Sequence, residues 1–283
     1  MILLTGATGT IGREVLRTLP PGTAVRVMAR NPARVEGAPA SAETVAGDYD
    51  DPRSLGGALE GVRTAFLVTN RVAGDQDVRF LEAARAAGVQ HVVKLSAAAV
   101  TDPLADDLIT RWQRGNEEVL RASGMGWTLL RPRSFMSNTL SWADSVRTEQ
   151  VVRSLYGTSA NSCVDPRDIA DVAVRVLTGP GHHHGRAYTL TGPQAVTAEQ
   201  QTAWLGELTG RPLRFEELGP ERARALWGER HPAPVVEALL DSALRQRDGA
   251  KAGVEGTVEE LTGRPARSFR DWAGARLPAF MPL

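Results

Sequence analysis

The chain has 283 residues, and its 33 acidic side chains cancel its 33 basic ones, which leaves no excess charge to meet a nucleic-acid backbone. No apolar run approaches membrane-spanning length, and a single cysteine, Cys163, excludes an intrachain disulfide or a multi-cysteine metal site. Size and composition suit one large domain, alone or with an appendage, and the absence of a basic leader with a long apolar core predicts a cytoplasmic protein.

In chain order, Met1 to Leu4 predict a buried strand, and Gly6, Gly9 and Gly12 follow at a spacing of three. Ile11, Val15, Leu16 and Leu19 then continue at helical spacing. A strand, a glycine turn and a helix aim a helix N-terminus at a phosphate pair. Gly6 permits the tight turn, Gly9 lets the backbone approach a pyrophosphate, and Gly12 lets the helix pack on the strand. Thr8, Thr10 and Ile11 complete this candidate cofactor loop.

Further strands are predicted at 24–29, 44–46, 64–68, 91–95 and 127–131, with helices at 53–59, 76–87 and 108–122 between them. That alternation predicts an α/β protein with a parallel, doubly wound, Rossmann-like sheet. Asp165, Pro166 and Asp168 suit the N-cap, first and third positions of a helix to about Leu177, close to a capping box. A last strand at 186–190 returns to the sheet. Thr197 to Gln200 then cap a helix, and the remainder reads as a small, mostly helical lid. The predicted cofactor domain is therefore discontinuous, 1–133 and 165–191, with 134–164 and 192–283 forming the substrate side.

With these segments placed, the chain resembles the NmrA-like group of atypical short-chain dehydrogenases/reductases. The matching stretches are TGATGTIG at 5–12, VMARNPARV at 27–35, GDYDDPRSL at 47–55, RASGMGWTLLRPRSFMSN at 121–138, VDPRDIADVA at 164–173 and GRAYTLTGP at 185–193. The resemblance implies an NAD(P)-binding domain, a small C-terminal domain and a cleft between them, with a small-molecule substrate it does not name.

Arg30 closes the second strand, where an acid would bind a ribose 2′-hydroxyl and an arginine instead pairs with a 2′-phosphate. With Arg34 one turn on, it predicts NADP(H) in preference to NAD(H). The resemblance suggests Asp48 for the adenine; Val68, Thr69, Asn70 and Ser96 end strands on the nicotinamide side, where open parallel sheets bind ligands.

The tyrosine and lysine that short-chain dehydrogenases commonly use are missing: the expected region reads DDLITRWQRGNEEV. Gln113 and Glu117, one turn apart there, and Tyr156, in a Gly- and Ser-rich loop, are the candidate catalytic groups, each with a structural role as the alternative. Phe135, Met136, Asn138 and Trp142, with Ser96 and Tyr156, are candidate substrate contacts. Consecutive His182, His183 and His184 cannot easily converge on one metal, so none is predicted.

The leading expectation is an NADPH-dependent oxidoreductase that passes hydride to a conjugated or cationic electrophile: a quinone, enone, imine or activated carbonyl. The alternatives are an NADP(H)-sensing regulator without turnover and a non-redox isomerase or cyclase on the same fold. No nucleic-acid or membrane partner is expected, and a homodimer is compatible with the sequence.

Overall fold

The computed structural model describes residues 1–282. The first half alternates strands and helices: β1 (Ile2–Leu4), α1 (Thr10–Thr18), β2 (Val25–Ala29), β3 (Glu43–Ala46), α2 (Pro52–Leu59), β4 (Thr64–Leu67), α3 (Gln76–Ala86), β5 (His91–Leu95), α4 (Leu108–Ala122) and β6 (Gly126–Pro132). There follow α5 (Ala143–Glu149), β7 (Val151–Ser154), α6 (Pro166–Thr178), β8 (Arg186–Leu190), α7 (Ala198–Thr209), β9 (Arg214–Glu217), α8 (Pro220–Gly228), α9 (Ala233–Arg247), α10 (Thr257–Thr262) and α11 (Phe269–Ala275).

Seven strands form one parallel sheet in the order β3-β2-β1-β4-β5-β6-β8. The strand order reverses between β1 and β4, which opens a crevice at their carboxyl ends. Strand alternation gives each face its own core. Leu4, Val27, Phe66, Val93 and Leu130 pack under α1 and α6, whereas Leu3, Ala65, Leu67, Val92 and Leu129 pack under α2, α3 and α4. Each fully buried leucine or valine contributes about 1.5–3 kcal/mol, so this sandwich holds the crevice rigid.

Local chemistry fixes the helix starts. Asp51 accepts from the Arg53 amide, Asp107 from Thr110 and Asp165 from Arg167, and prolines take the first positions of α2 and α6. Thr197 and Gln200 form a reciprocal capping box on α7. Asp168 departs from the sequence expectation. Its fully buried carboxylate accepts from the Arg267 amide at 2.7 Å and from Arg264 at 3.2 Å, across the molecule, instead of turning back to its own N-cap.

The region beyond the sheet is mostly helical but contains a second sheet, the parallel pair β7–β9. Met136, Val146, Val152, Leu205, Phe269 and Trp272 form its core. The substrate-side span 192–283 is not uniform: Val258, Leu261 and Ala266, on and after α10, pack into the core under α6. No helix among the described residues is long and apolar enough to cross a membrane.

Candidate active site

The carboxyl ends of β1, β2, β4 and β5 open onto a cavity of about 550 Å³. Thr5 ties β1 to β4: its hydroxyl donates to the Phe66 carbonyl and accepts from the Val68 amide, both at 2.9 Å. The chain then turns through Gly6 at φ +68°, where a Cβ would sit 2.9 Å from that of Val68. A Cβ on Gly12 would lie 2.3 Å from the Gly6 carbonyl oxygen, so α1 approaches the turn only as glycine. At Gly9 the nearest protein atom to a Cβ would be the Gly6 carbonyl at 3.3 Å. Gly9 is the N-cap of α1, lacks a capping side chain, and is followed by no acid in the first turn. The first amides of α1 therefore lack helical partners and face the cavity beside Thr8, Thr10 and Ile11. This cradle fits a dinucleotide pyrophosphate.

Arg30 lines one end of the cavity, and a smaller recess beside it is lined by Thr8, Ala29, Arg30, Asn31 and Arg34. Asn31 caps the Pro32–Arg34 turn and so holds both arginines on this lip. Asp48 lines the cavity too, although its carboxylate accepts from the Asp50 amide at 3.0 Å in its own turn. Tyr49, which sequence reasoning missed, crosses the floor and donates to the Val68 carbonyl at 2.8 Å. Burial, joined by the charge of Asp77 and opposed by a contact with Thr5, raises its pKa and keeps its hydroxyl neutral.

At the other end stand Val68, Thr69, Asn70, Ser96 and Gln113. Thr69 donates to Asp77 at 2.6 Å, and Asp77 is ion-paired with Lys94 where both side chains are fully buried. Ser96 donates to Glu117 at 2.6 Å. Arg131 contacts both Glu117 oxygens, and Arg121 adds a contact at 3.1 Å. Burial alone would raise the Glu117 pKa, but its bonds from Arg131 and Ser96 and the nearby guanidinium charges outweigh burial and lower it. Gln113 lines the cavity, and its amide oxygen is buried without a hydrogen-bond partner.

Ser96 and Phe135 are shared with a second cavity of about 290 Å³. Ala97 to Ala99, Ile109 and Leu239 make it largely apolar, and Arg133 and Lys251 bring cations to its wall. A third cavity, of about 620 Å³, continues past Phe135 and Asn138 to Trp142, Leu155 and Trp227. Asn138 lines both of these cavities and Trp142 only the third.

Two substrate candidates fall elsewhere. Met136 is buried in the core of the β7–β9 region and lines none of the three cavities. Tyr156 also lines none of them: it adopts φ +52°, packs beside Leu155 and Leu218, and presents its ring to Arg247 at 5.5 Å. The left-handed turn is pinned at the Gly157 amide by Glu217 at 2.8 Å. The three histidines also diverge, His183 to the Tyr188 hydroxyl at 2.8 Å and His184 to the Trp127 amide. Cys163 is buried, with its thiol pushed up to about 12, as suits a packed side chain.

A family model described as NAD(P)H-binding matches residues 6–180. Over its full length the chain is 55% identical to a (4-alkanoyl-5-oxo-2,5-dihydrofuran-3-yl)methyl phosphate reductase of Streptomyces griseus subsp. griseus, with all of both chains covered. It is 38% identical to an NAD(P)H azoreductase of Xenophilus azovorans over 99% of each chain. The NADPH complex of an Escherichia coli NADPH-dependent quinone oxidoreductase superposes with a TM-score of 0.84 at 28% identity, over 98% of this chain and 99% of that one.

Proposed function

Because this chain belongs to the NAD(P)H-binding family and is an NAD(P)H-dependent oxidoreductase, we propose that it uses NADPH to reduce a carbon–carbon double bond conjugated to carbonyl groups. The favoured substrate is an acylated butenolide of the kind its Streptomyces relative is named for.

The observation that carries this reading is the state of the group touching Ser96. Glu117 is the titratable partner there, and Arg131 and Ser96 keep its carboxylate ionised. Tyr49, the tyrosine lining the cofactor cavity, spends its proton on the Val68 carbonyl. Neither group supplies the strong acid that an ordinary ketone needs as its alkoxide forms. In the butenolide the alkene carbon between the lactone and acyl carbonyls takes up the electron pair as an enolate, so positioning contributes most of the rate enhancement. Bound NADPH supplies the hydride. The hydride and one proton add across the double bond, the proton coming from water or through Ser96, and NADP⁺ is left.

The protein's part is to bind and align. The α1 amides take the pyrophosphate and Arg30 and Arg34 the 2′-phosphate, which gives NADPH precedence over NADH. Asp48 flanks the adenine end. Val68, Thr69 and Asn70 hold the nicotinamide side, with Thr69 fixed by the Asp77–Lys94 pair. Ser96 and Phe135 form the shared wall against which the alkene lies, Gln113 stands beside them in the first cavity, and the cavity toward Asn138 and Trp142 takes the acyl chain.

The test is NADPH oxidation with an acyl butenolide, a quinone and a simple dialkyl ketone, using cofactor deuterated at the transferred position. Label on the butenolide ring carbon and no turnover of the ketone are expected. Efficient ketone reduction, or no reduction of any conjugated substrate, would refute the proposal.

A further inference from the structure

The small cavity beyond Ser96 and Phe135 contains charge that the fold itself does not balance. Two cations, Arg133 and Lys251, line it, and a third, Arg245, lies behind the lining residue Asp107. Arg245 is neutralised, with Asp107 at 2.6 Å and Asp102 at 3.5 Å. Arg133 and Lys251 enter no ion pair among the described residues. The Arg133 Nε is buried without a partner, and one terminal nitrogen makes a long, 3.3 Å contact with the Ala250 carbonyl. Lys251 donates to the Ser242 hydroxyl at 2.8 Å and retains two further N–H donors. Burial and the charges of Arg245 and Arg133 push its ammonium down to about 8, against the opposing pull of Asp107. Burial also lowers Arg133, although Glu255 and Asp102 act to raise it from outside contact distance. Asp107, the carboxylate on this cavity wall, is already occupied by the Thr110 amide and hydroxyl and by Arg245. Desolvated cations without a counter-charge are costly. An anion entering the cavity would meet free donors on both.

We propose that Arg133 and Lys251 form an anion subsite for a phosphomonoester on the substrate, which sets the alkene carbon to be reduced against the Ser96–Phe135 wall. This rests on the reductase reading above and gives it a specificity element. Arg133 lies immediately after β6, at the same carboxyl edge of the sheet as Ser96. Lys251 comes from the segment after α9, which the Ser162 amide fixes through the Lys251 carbonyl at 2.9 Å. The sheet and the C-terminal region thus each supply one cation. The cavity is small, so a phosphate bound there must be joined to the reacting ring by a short linker. A single methylene, as in the phosphate named for the Streptomyces relative, meets that requirement.

The NADPH-loaded enzyme and its Lys251→Met and Arg133→Met variants are to be compared on one acyl butenolide, as its methyl phosphate ester and as the free hydroxymethyl compound. Wild type is expected to favour the phosphate. Each variant should lower the phosphate-to-alcohol ratio of kcat/KM by roughly tenfold or more, mainly through KM, as expected for a lost charge-assisted bond. Lys251→Met should melt no lower than wild type, because it removes an unpaired buried charge; a merely structural lysine would show the opposite. Calorimetric titration of methyl phosphate and of inorganic phosphate into the NADP⁺-loaded protein reads the subsite without turnover, and both variants should abolish the methyl phosphate signal. Unchanged substrate ratios in both variants, or inorganic phosphate binding without any preference for the phosphorylated substrate, would overturn the assignment while leaving the reductase reading intact. Failure to reduce any conjugated substrate would sink the reductase reading instead, and the titrations would still decide the subsite.

Discussion

Among single residues, Glu117 best separates what the sequence displays from what the fold does with it. Its spacing from Gln113 correctly puts both on one face of α4, yet only Gln113 reaches the cavity, because Arg131 from β6 captures the Glu117 carboxylate. That guanidinium lies fourteen positions along the chain, outside any helical pattern. Buried to 1% exposure, the carboxylate holds the Ser96 hydroxyl in place. Glu117→Gln should leave Arg131 without its counter-charge and cost about 3 kcal/mol at neutral pH. The Glu117 pKa in the fold lies below the ordinary 4.5. Its contribution is therefore complete above about pH 4.5 and disappears as the pH falls through the folded-state value. Urea melts of both proteins at pH 7 and near pH 4 should show the gap narrowing on acidification. A constant gap would mean that the charge is not what stabilises. Tyr156 teaches the complementary lesson: a glycine- and serine-rich stretch announces a loop, but nothing local to it announced φ +52° or the Arg247 guanidinium over its ring.

At the level of elements, legibility followed the range of the cause. Strand and helix positions through β6 were readable because apolar periodicity and Asp or Pro at helix starts are local signals. The pair β7–β9 was not, since each strand has only four residues and finds its partner some sixty positions away. The strand, turn and helix around the glycines were readable, and the structure separates the packing demands at Gly12 and Gly9. A methyl on Gly12 collides with backbone at 2.3 Å, whereas the nearest atom to one on Gly9, which lines the first cavity, is a carbonyl at 3.3 Å. Gly12→Ala should therefore lower stability by roughly 1–3 kcal/mol, the range for overpacking. Gly9→Ala should fold with nearly wild-type stability yet bind NADPH at least roughly tenfold more weakly, because the pyrophosphate loses its approach to the α1 amides. Paired thermal melts and NADPH titrations separate the two. Equal loss of stability in both variants would contradict this division.

Over the whole molecule, the C-terminal region is bound to the sheet by long-range charge. Asp168 and Asp171 on α6 hold Arg264 and Arg267, more than ninety positions later. The sequence showed Asp168 only as a cap for its own helix. The Lys251 segment, held through its carbonyl by the Ser162 amide, lies on the small cavity, which meets the first cavity at Ser96 and Phe135. A ligand that binds only this assembled form stabilises all of it, by about 2.7 kcal/mol at a hundred times its Kd. In a chain of 283 residues that corresponds to a rise in Tm of several degrees, at roughly 2–4 °C per kcal/mol. On the proposed placement, Arg30 and Arg34, on the lip beside Thr8, add charge-assisted bonds to the 2′-phosphate that NAD⁺ lacks. NADP⁺ should thus raise Tm more than equimolar NAD⁺. Arg30→Asp should abolish that difference or invert it, because a carboxylate there repels the phosphate and accepts from a ribose hydroxyl. The proposed pyrophosphate contacts at α1 are untouched by this change, so the variant should still respond to NAD⁺. A variant that loses its response to both cofactors equally would place the 2′-phosphate away from Arg30. A variant that keeps the full NADP⁺ preference would assign the discrimination to Arg34 alone.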